Sequence, residues 1–251
     1  MARVRADVLV VEQGLAPSRA RAQALILAGV VLTADGEKIN KAGQTLDSST
    51  ELRLKEQPMP YVSRGGLKLE GALEHFGIDV KGMVALDVGA STGGFTDCLL
   101  QRGAQKVFAV DVGYNQLAWS LRQDPRVVSM ERLNVRHLEP ETLGESVDMV
   151  VADVSFISLS LVMQPALRCA KMGARVVCLV KPQFEVGRGE VGKGGIVRDP
   201  EARWAALSRI VEGLKNLGVD EINTMDSPIT GTKGNHEFLL AGVWTGSGDS
   251  I

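Results

Sequence analysis

The chain is poor in cysteine. Cys98, Cys169 and Cys178 are the only three in 251 residues, they lie far apart, and no Cys-x-x-Cys pair occurs. A disulfide scaffold is therefore excluded, and three small buried apolar residues in a reducing compartment are expected. Long apolar runs are missing as well. The longest uncharged stretch around the middle of the chain, Val154 to Leu167, has 14 residues and contains Gln164 and Pro165, whereas a membrane span needs about 20 apolar residues. The opening segment MARVRADVLVVEQG lacks the longer apolar core and small-residue cleavage site of a signal peptide. The three histidines, His75, His137 and His236, show no metal-ligand spacing, so no metal is expected. At 45% hydrophobic and 23% charged residues, disordered and collagen-like classes are excluded too. A cytoplasmic, soluble, monomeric protein with no membrane role is the expectation.

Charge of one sign is also scarce in the total. Lys and Arg number 28 against 30 Asp and Glu, a formal net charge of −2, which taken whole argues against a nucleic-acid partner. The average hides a division. Residues 57–60 read QPMP, two prolines in four positions, which favours an extended connector. Residues 1–68 carry ten Lys/Arg and seven Asp/Glu, whereas the remainder carries 18 and 23. A basic head therefore precedes an acidic body, and the expected organisation is a head over 1–57, a linker over 58–62 and a body over 63–251.

In the head, Arg5 to Gln13 fits a short helix closed by Gly14, and Ser18 can cap a second helix, SRARAQALILAG, with Gly29 as its stop. VVLTADGEKI and TELRLKE follow, with Asp35-Gly36 as a hairpin-type turn. The stretch GLAPSRARAQALILAGVVLTADGEKINKAG resembles the S4 RNA-binding domain, a small α+β fold, over most of residues 4–55. It departs from many S4 sequences at the hairpin, where Thr33-Ala34-Asp35-Gly36 stands in place of a Val-Asn-Gly. The resemblance implies RNA binding through Arg19 and Arg21 on the second helix; Arg3, Arg5 and Arg64 are further RNA-binding candidates.

In the body, Val-rich apolar runs alternate with helical patterns. Strands are expected at 83–90, 106–113, 126–130, 147–156, 174–183, near 219–225 and at 236–244. Helices are expected over SRGGLKLEGALEHFG, GGFTDCLLQRG, NQLAWSLRQ, LSLVMQPALRCA and PEARWAALSRIVEGLKNLG. This is the pattern of an α/β fold with a mostly parallel sheet buried on both faces. The last two strands have no helix between them and are expected to pair antiparallel at one edge. Ligands in such folds bind at the carboxyl ends of the strands. The first strand of the body ends in LDVGASTGGF (86–95). Gly89-x-Ser91-x-x-Gly94 nearly fits the dinucleotide fingerprint but puts Ser where the second Gly makes room for a pyrophosphate. Asp87, two residues before the first Gly, instead suits the positive charges of S-adenosylmethionine, and Asp111 is placed for a ribose diol under either cofactor.

The blocks SRGGLKLEGAL, LDVGASTGGFTDCLL, DVGYNQLAWSLR, VVADVSFISL, LVKPQFEVGRGEVGKGGIVRD and GNHEF, in that order after an S4-like head, resemble the TlyA (hemolysin A-type) family over nearly the whole chain. The resemblance implies a Rossmann-like S-adenosylmethionine-dependent methyltransferase fold of the FtsJ/RrmJ class. It further implies 2′-O-ribose methylation of ribosomal RNA or ribosomal subunits, on cytidine in 16S rRNA, 23S rRNA or both. The class carries a Lys-Asp-Lys-Glu catalytic set, which falls here on Lys68, Asp153, Lys181 and Glu237. The expected cofactor-binding set is Asp87, Gly89, Ala90, Ser91, Thr92, Gly93, Gly94, Phe95, Asp111, Asn134 and Asp153. Lys181 would hold the 2′-hydroxyl and assist its deprotonation; Lys68 would lower its pKa while Asp153 and Glu237 would raise it, so base and orienting donor both stay open. The glycine-rich segment 184–199, with Arg188, Lys193 and Arg198, is expected to be a mobile RNA-facing lid. Two other functions compete: a membrane-acting hemolysin, for which no span or strongly amphipathic basic helix is present, and an NAD-dependent oxidoreductase.

Overall fold

The computed structural model describes residues 3–55, 59–231 and 234–246, with the Arg188 side chain also outside the description. The chain divides between Met59 and Pro60 into two units. The first begins with β1 (Arg3–Arg5), α1 (Ala6–Glu12) and α2 (Arg19–Leu27), followed by β2 (Val31–Thr33), β3 (Thr45–Asp47) and β4 (Leu52–Leu54). Ser18 caps α2 as its sequence position suggests: its Oγ accepts from the Arg21 amide at 3.3 Å. Gly29 then turns the chain out of the helix at φ +70. The Thr33–Gly36 turn forms, with the Gly36 amide donating to the Thr33 carbonyl at 2.9 Å. The Thr33 and Ile39 amides, donating to the Glu37 and Val31 carbonyls, and the bridge Leu32–Lys38 extend it; as a strand, β2 pairs with β4, and β1 with β3. Ala6, Leu9, Val10, Ala22, Ile26 and Val31 form the core of this unit.

The second unit contains α3 (Gly65–His75), β5 (Val84–Val88), α4 (Gly94–Gln101), β6 (Lys106–Val110), α5 (Trp119–Arg122), β7 (Val127–Met130), α6 (Pro140–Leu143), β8 (Val147–Ala152), α7 (Ser160–Arg168), β9 (Ala170–Val180), α8 (Pro182–Glu185), α9 (Pro200–Asn216), β10 (Val219–Asp226) and β11 (Phe238–Trp244). The seven strands order as β10-β11-β9-β8-β5-β6-β7. β11 runs antiparallel to both neighbours, so the other six strands are parallel to one another. All five residues of β5 are buried, as both faces of the sheet are covered. Leu86, Val150, Met163, Leu207 and Leu214 share the core on one face, and Leu69, Leu73, Leu99, Val107 and Val151 that on the other. Each large side chain buried this way contributes about 1.5–3 kcal/mol relative to exposure.

Two expectations need correction. The expected linker over 58–62 runs partly outside the described residues, and its remainder is packed into the second unit. Tyr61 is buried, Val62 donates its amide to Asp97 Oδ2 at 2.8 Å, and the Pro60 carbonyl accepts from Gln101 Nε2. The expected helix over NQLAWSLRQ shrinks to its last turn, α5. The preceding amides bond elsewhere, Asn115 to Glu131 at 2.9 Å and Ala118 to the Thr92 carbonyl at 3.1 Å.

Helix α9 shows how local chemistry sets the ends of an element. Asp199 caps it, with Oδ1 accepting from the Glu201 amide at 3.0 Å, and Pro200 occupies its first turn. Its buried Ala202, Ala206, Leu207, Ile210 and Leu214 lie on one stripe. Asp199→Ala removes the cap and is expected to lower stability by about 1 kcal/mol, read as a shifted urea midpoint at unchanged slope.

Candidate active site

Five expected site residues sit at one edge of the sheet because the strands end there together. Gly89, Asp111, Asp153 and Lys181 immediately follow β5, β6, β8 and β9, and Glu237 immediately precedes β11. The last register pairs are Val88–Val110, Val88–Ala152 and Phe238–Val180. The reversed direction of β11 is what brings Glu237 to the carboxyl ends of the parallel strands.

The expected catalytic set resolves into two ion pairs. Lys68 Nζ, from α3, donates to Glu237 Oε2 at 2.6 Å, with only 10% and 2% of the two side chains exposed. Lys181 Nζ lies 2.5 Å from Asp153 Oδ1 and donates to Ser155 Oγ at 2.8 Å. The approach to Asp153 is an ion contact outside hydrogen-bond geometry, so Oδ1 keeps an unfilled acceptor position. All four side chains line one cavity of about 420 Å³. Gly231 lets Glu237 in, because a Cβ there would collide with the carboxylate.

A second cavity, about 360 Å³, shares the walls Gly89, Ser91, Asp153 and Ser155 with the first. Val88, Val110, Leu133, Val135 and Ile157 make it largely apolar, while Asp111 and Asn134 bring polar groups to it. Such a mixture suits a small ligand with a flat apolar part and a few hydroxyls. Gly89 and Ser91 of the loop from Gly89 to Gly94 contribute to the shared wall. At Gly89, φ is +84 and a Cβ would come within 2.7 Å of the Asp153 carbonyl oxygen. At Gly94 a Cβ would collide with Ser63 Oγ. Ser91 stands where a dinucleotide fingerprint has glycine and itself adopts φ +48. Its amide donates to Asp111 Oδ2 at 2.8 Å, and Gly113 donates to Oδ1 at 2.7 Å. Ala90, Thr92, Gly94 and Phe95 line the larger cavity, whereas Gly93, at φ +98, provides the turn into α4.

Asp87 departs from its expected place. It is wholly buried and lines neither cavity. Oδ2 accepts from Thr96 Oγ1 at 2.6 Å and Oδ1 has no partner. The carboxyl sits beneath the glycine loop because Thr96, one turn into α4, holds it there. Burial is the main cause of its pKa, pushed up to about 7; the Thr96 bond opposes this, and nearby Asp153 and Asp111 add to it.

Sequence reasoning missed several supporting residues. Ser155 and Asn235 fall inside the blocks VVADVSFISL and GNHEF but had no assigned role. Asn235, itself buried, donates from Nδ2 to the Gly195 carbonyl at 2.9 Å and accepts the Val197 amide at 3.2 Å. With the Gly192–Ile196 bridge, this pins the distal part of the glycine-rich segment, so the expected free lid becomes an anchored loop there. Glu185 likewise accepts from Ser158 Oγ and the Leu159 amide, at 2.6 and 3.0 Å. It braces the segment bearing Phe156, whose left-handed backbone (φ +65) has no glycine to relax it; no sequence signal marks that strain.

Of the expected RNA-contacting residues, Arg64 is exposed at the larger cavity and donates to the Thr230 carbonyl at 2.8 Å. Lys193 is exposed, and Arg188 lies outside the described side chains. In the first unit Arg3 and Arg21 are exposed, while Arg5 and Arg19 both pair with the buried Asp7.

Residues 61–244 match the FtsJ-like methyltransferase family, and residues 4–52 match the S4 domain. The 16S/23S rRNA (cytidine-2'-O)-methyltransferase TlyA of Mycobacterium tuberculosis is 49% identical over 95% of this chain and 89% of its own. The chain belongs to the TlyA family. YqxC of Bacillus subtilis, named as a candidate rRNA methyltransferase, is also 49% identical, over 97% of this chain and 87% of its own. The solved structure of a hemolysin-labelled protein from Streptococcus thermophilus superposes with a TM-score of 0.72 at 45% identity, covering 98% and 90% of the two chains. In this TlyA-family chain, as in FtsJ-like methyltransferases, the body is a Rossmann-like sheet with one antiparallel strand.

Asp87 gives this site a pH signature. Its folded pKa, about 7, lies above that of an unfolded aspartate. Its contribution to stability is therefore fully present below about pH 4 and is lost as the pH rises through about 7. Asp87→Asn is expected to flatten this part of the stability profile, measured by urea unfolding from pH 4 to 8.

Proposed function

We propose that the protein is an S-adenosylmethionine-dependent 2′-O-methyltransferase that acts on ribosomal RNA, with cytidine in 16S or 23S rRNA as the target nucleoside. The observation that carries this reading is the convergence of two lysine–carboxylate pairs beside a glycine cradle, in the geometry described above. The name of the M. tuberculosis relative supports both the reaction and the nucleoside. An S4-type head gives the chain a basic unit with which to engage structured RNA.

The residues fit the cofactor. Gly89 and Gly94 leave no room for side chains where the backbone closes on the shared wall. Asp111 is positioned for the ribose hydroxyls, and Asn134 stands beside the apolar wall for the adenine. When bound, S-adenosylmethionine supplies an electrophilic methyl group on its sulfonium. Asp153 lies on the wall common to both cavities and so puts negative charge near that positive centre. Asp87 acts from beneath, by holding the glycine loop through Thr96.

A ribose 2′-hydroxyl is a weak nucleophile and must approach the methyl carbon in line. An ammonium has three N–H donors. Ser155 accepts one of those of Lys181 at 2.8 Å, Asp153 faces the same ammonium as an ion contact, and a remaining N–H holds the hydroxyl oxygen. The hydroxyl proton would pass to a neighbouring acceptor as the methyl leaves the sulfonium sulfur, which becomes a neutral thioether, for the oxygen; Asp153, with an open acceptor position on Oδ1, is suited to take it. Lys68 and Glu237 keep the opposite wall charged yet paired, so the hydroxyl meets fixed dipoles rather than reorganising solvent. Alignment of this kind can supply much of a rate enhancement by itself.

The glycine loop favours this cofactor over NAD, since Ser91 stands where the second fingerprint glycine makes room for a pyrophosphate. A membrane-acting role draws on the hemolysin label of a relative; no helix among the described residues is long and apolar enough to cross a membrane. With ribosomal RNA as substrate, the enzyme works in the cytoplasm.

Lys181→Ala is expected to lower methyl transfer to ribosomal RNA by about 10²–10⁴-fold while calorimetric binding of S-adenosylmethionine persists. Full activity in that variant would overturn the assignment.

A further inference from the structure

In the first unit the most constrained charge belongs to an acidic residue on a surface read as binding RNA. Asp7 is 0% exposed. Arg5 grips it with two parallel bonds, Nε to Oδ1 and Nη2 to Oδ2, both 3.0 Å. Arg19 Nη2 adds a bond to Oδ2 at 3.0 Å, and Gln23 Nε2 another at 2.8 Å. The Arg5 bond is the main cause that holds the Asp7 carboxyl well below the usual range, against the effect of burial.

The arginines are less buried than their partner. The Arg5 and Arg19 side chains remain 49% and 57% exposed. A guanidinium carries five N–H donors; Arg5 spends two on Asp7 and Arg19 one. Two positive groups on one carboxylate leave a local surplus of one charge and several outward donors. A guanidinium fixed along one edge loses less side-chain entropy when the other edge meets a phosphate.

We propose that Asp7 is a positioning residue for RNA: it fixes Arg5 and Arg19 as a preorganised pair that receives backbone phosphate. This rests on the reading of the S4 unit as the RNA-engaging part. It makes a prediction of unusual sign. If Asp7 acted on RNA only through its charge, removing that charge would tighten binding to a polyanion; loss of positioning weakens it.

The test titrates the full-length protein with purified bacterial ribosomal RNA over a range of salt concentrations. Asp7→Asn is expected to weaken binding about tenfold and to reduce the salt dependence by about one to two phosphate contacts. Binding equal to or tighter than that of the parent, at unchanged salt slope, would overturn the proposal. Amide exchange in α1 and α2 reports whether Asp7→Asn keeps the unit folded. If it does not, the double variant Arg5→Lys/Arg19→Lys decides, because it keeps the charge and removes the planar fork: weaker binding supports positioning, and unchanged binding overturns it. A third arm, Arg5→Glu/Arg19→Glu, separates the two readings. If this reversal leaves binding unchanged, the RNA role of this surface fails altogether; if it weakens binding while Asp7→Asn does not, only the role of Asp7 fails.

Discussion

Everything at the reactive end of the body depends on where β11 enters the sheet. A seventh parallel strand in that position would put its leading residue at the far edge, away from Lys181. Antiparallel entry between β9 and β10, in the register Phe238–Val180, places Glu237 beside the carboxyl ends instead. Lys68 then has a buried partner at 2.6 Å. Breaking such a buried pair by removing one member costs about 3–5 kcal/mol, because the remaining charge is stranded. Strand order, loop closure at Gly231 and helix α3 are therefore tied to one ion pair, and the second pair, Lys181–Asp153, forms across the same cavity.

The glycine loop follows a related logic. Its backbone approaches Asp153 too closely for a Cβ at Gly89, and its Ser91 amide is held by Asp111, at the end of the neighbouring strand. Thr96, in the first turn of the helix that follows the loop, bonds the buried Asp87 carboxyl. Charge near the cavities is almost everywhere paired or hydrogen-bonded, as expected of a low-dielectric site. Among the described atoms, Asp87 Oδ1 is an exception, without a hydrogen-bond partner, and Asp153 Oδ1 has only its ion contact with Lys181.

Much of this was legible in the sequence. Val-rich strands spaced by helices gave a parallel sheet, and the absence of a helix between the last two strands gave the reversal at its edge. The strand end located Asp111, while the family resemblance assigned Asp153, Lys181 and Glu237, and their places at strand ends agreed with that assignment. The full burial of Asp87 and its bond from Thr96 Oγ1 were not visible in the motif, because spacing alone does not reveal what a carboxyl packs against. The role of Asn235 was invisible for a similar reason, since its partners are backbone groups 38 and 40 residues away. Arg5 and Arg19 were read as RNA-contacting residues, but their shared partner Asp7 was not foreseen. Long-range side-chain partners of this kind leave no periodic trace in a single sequence.

The account stands most directly on the chemical position of the transferred methyl group. Ribosomal RNA incubated with the enzyme and methyl-labelled S-adenosylmethionine, then digested to nucleosides and separated by mass spectrometry, reports that position. The account predicts label on the 2′-oxygen of ribose, in 2′-O-methylcytidine; label confined to a nucleobase, or RNA left unlabelled by the active enzyme, would contradict it.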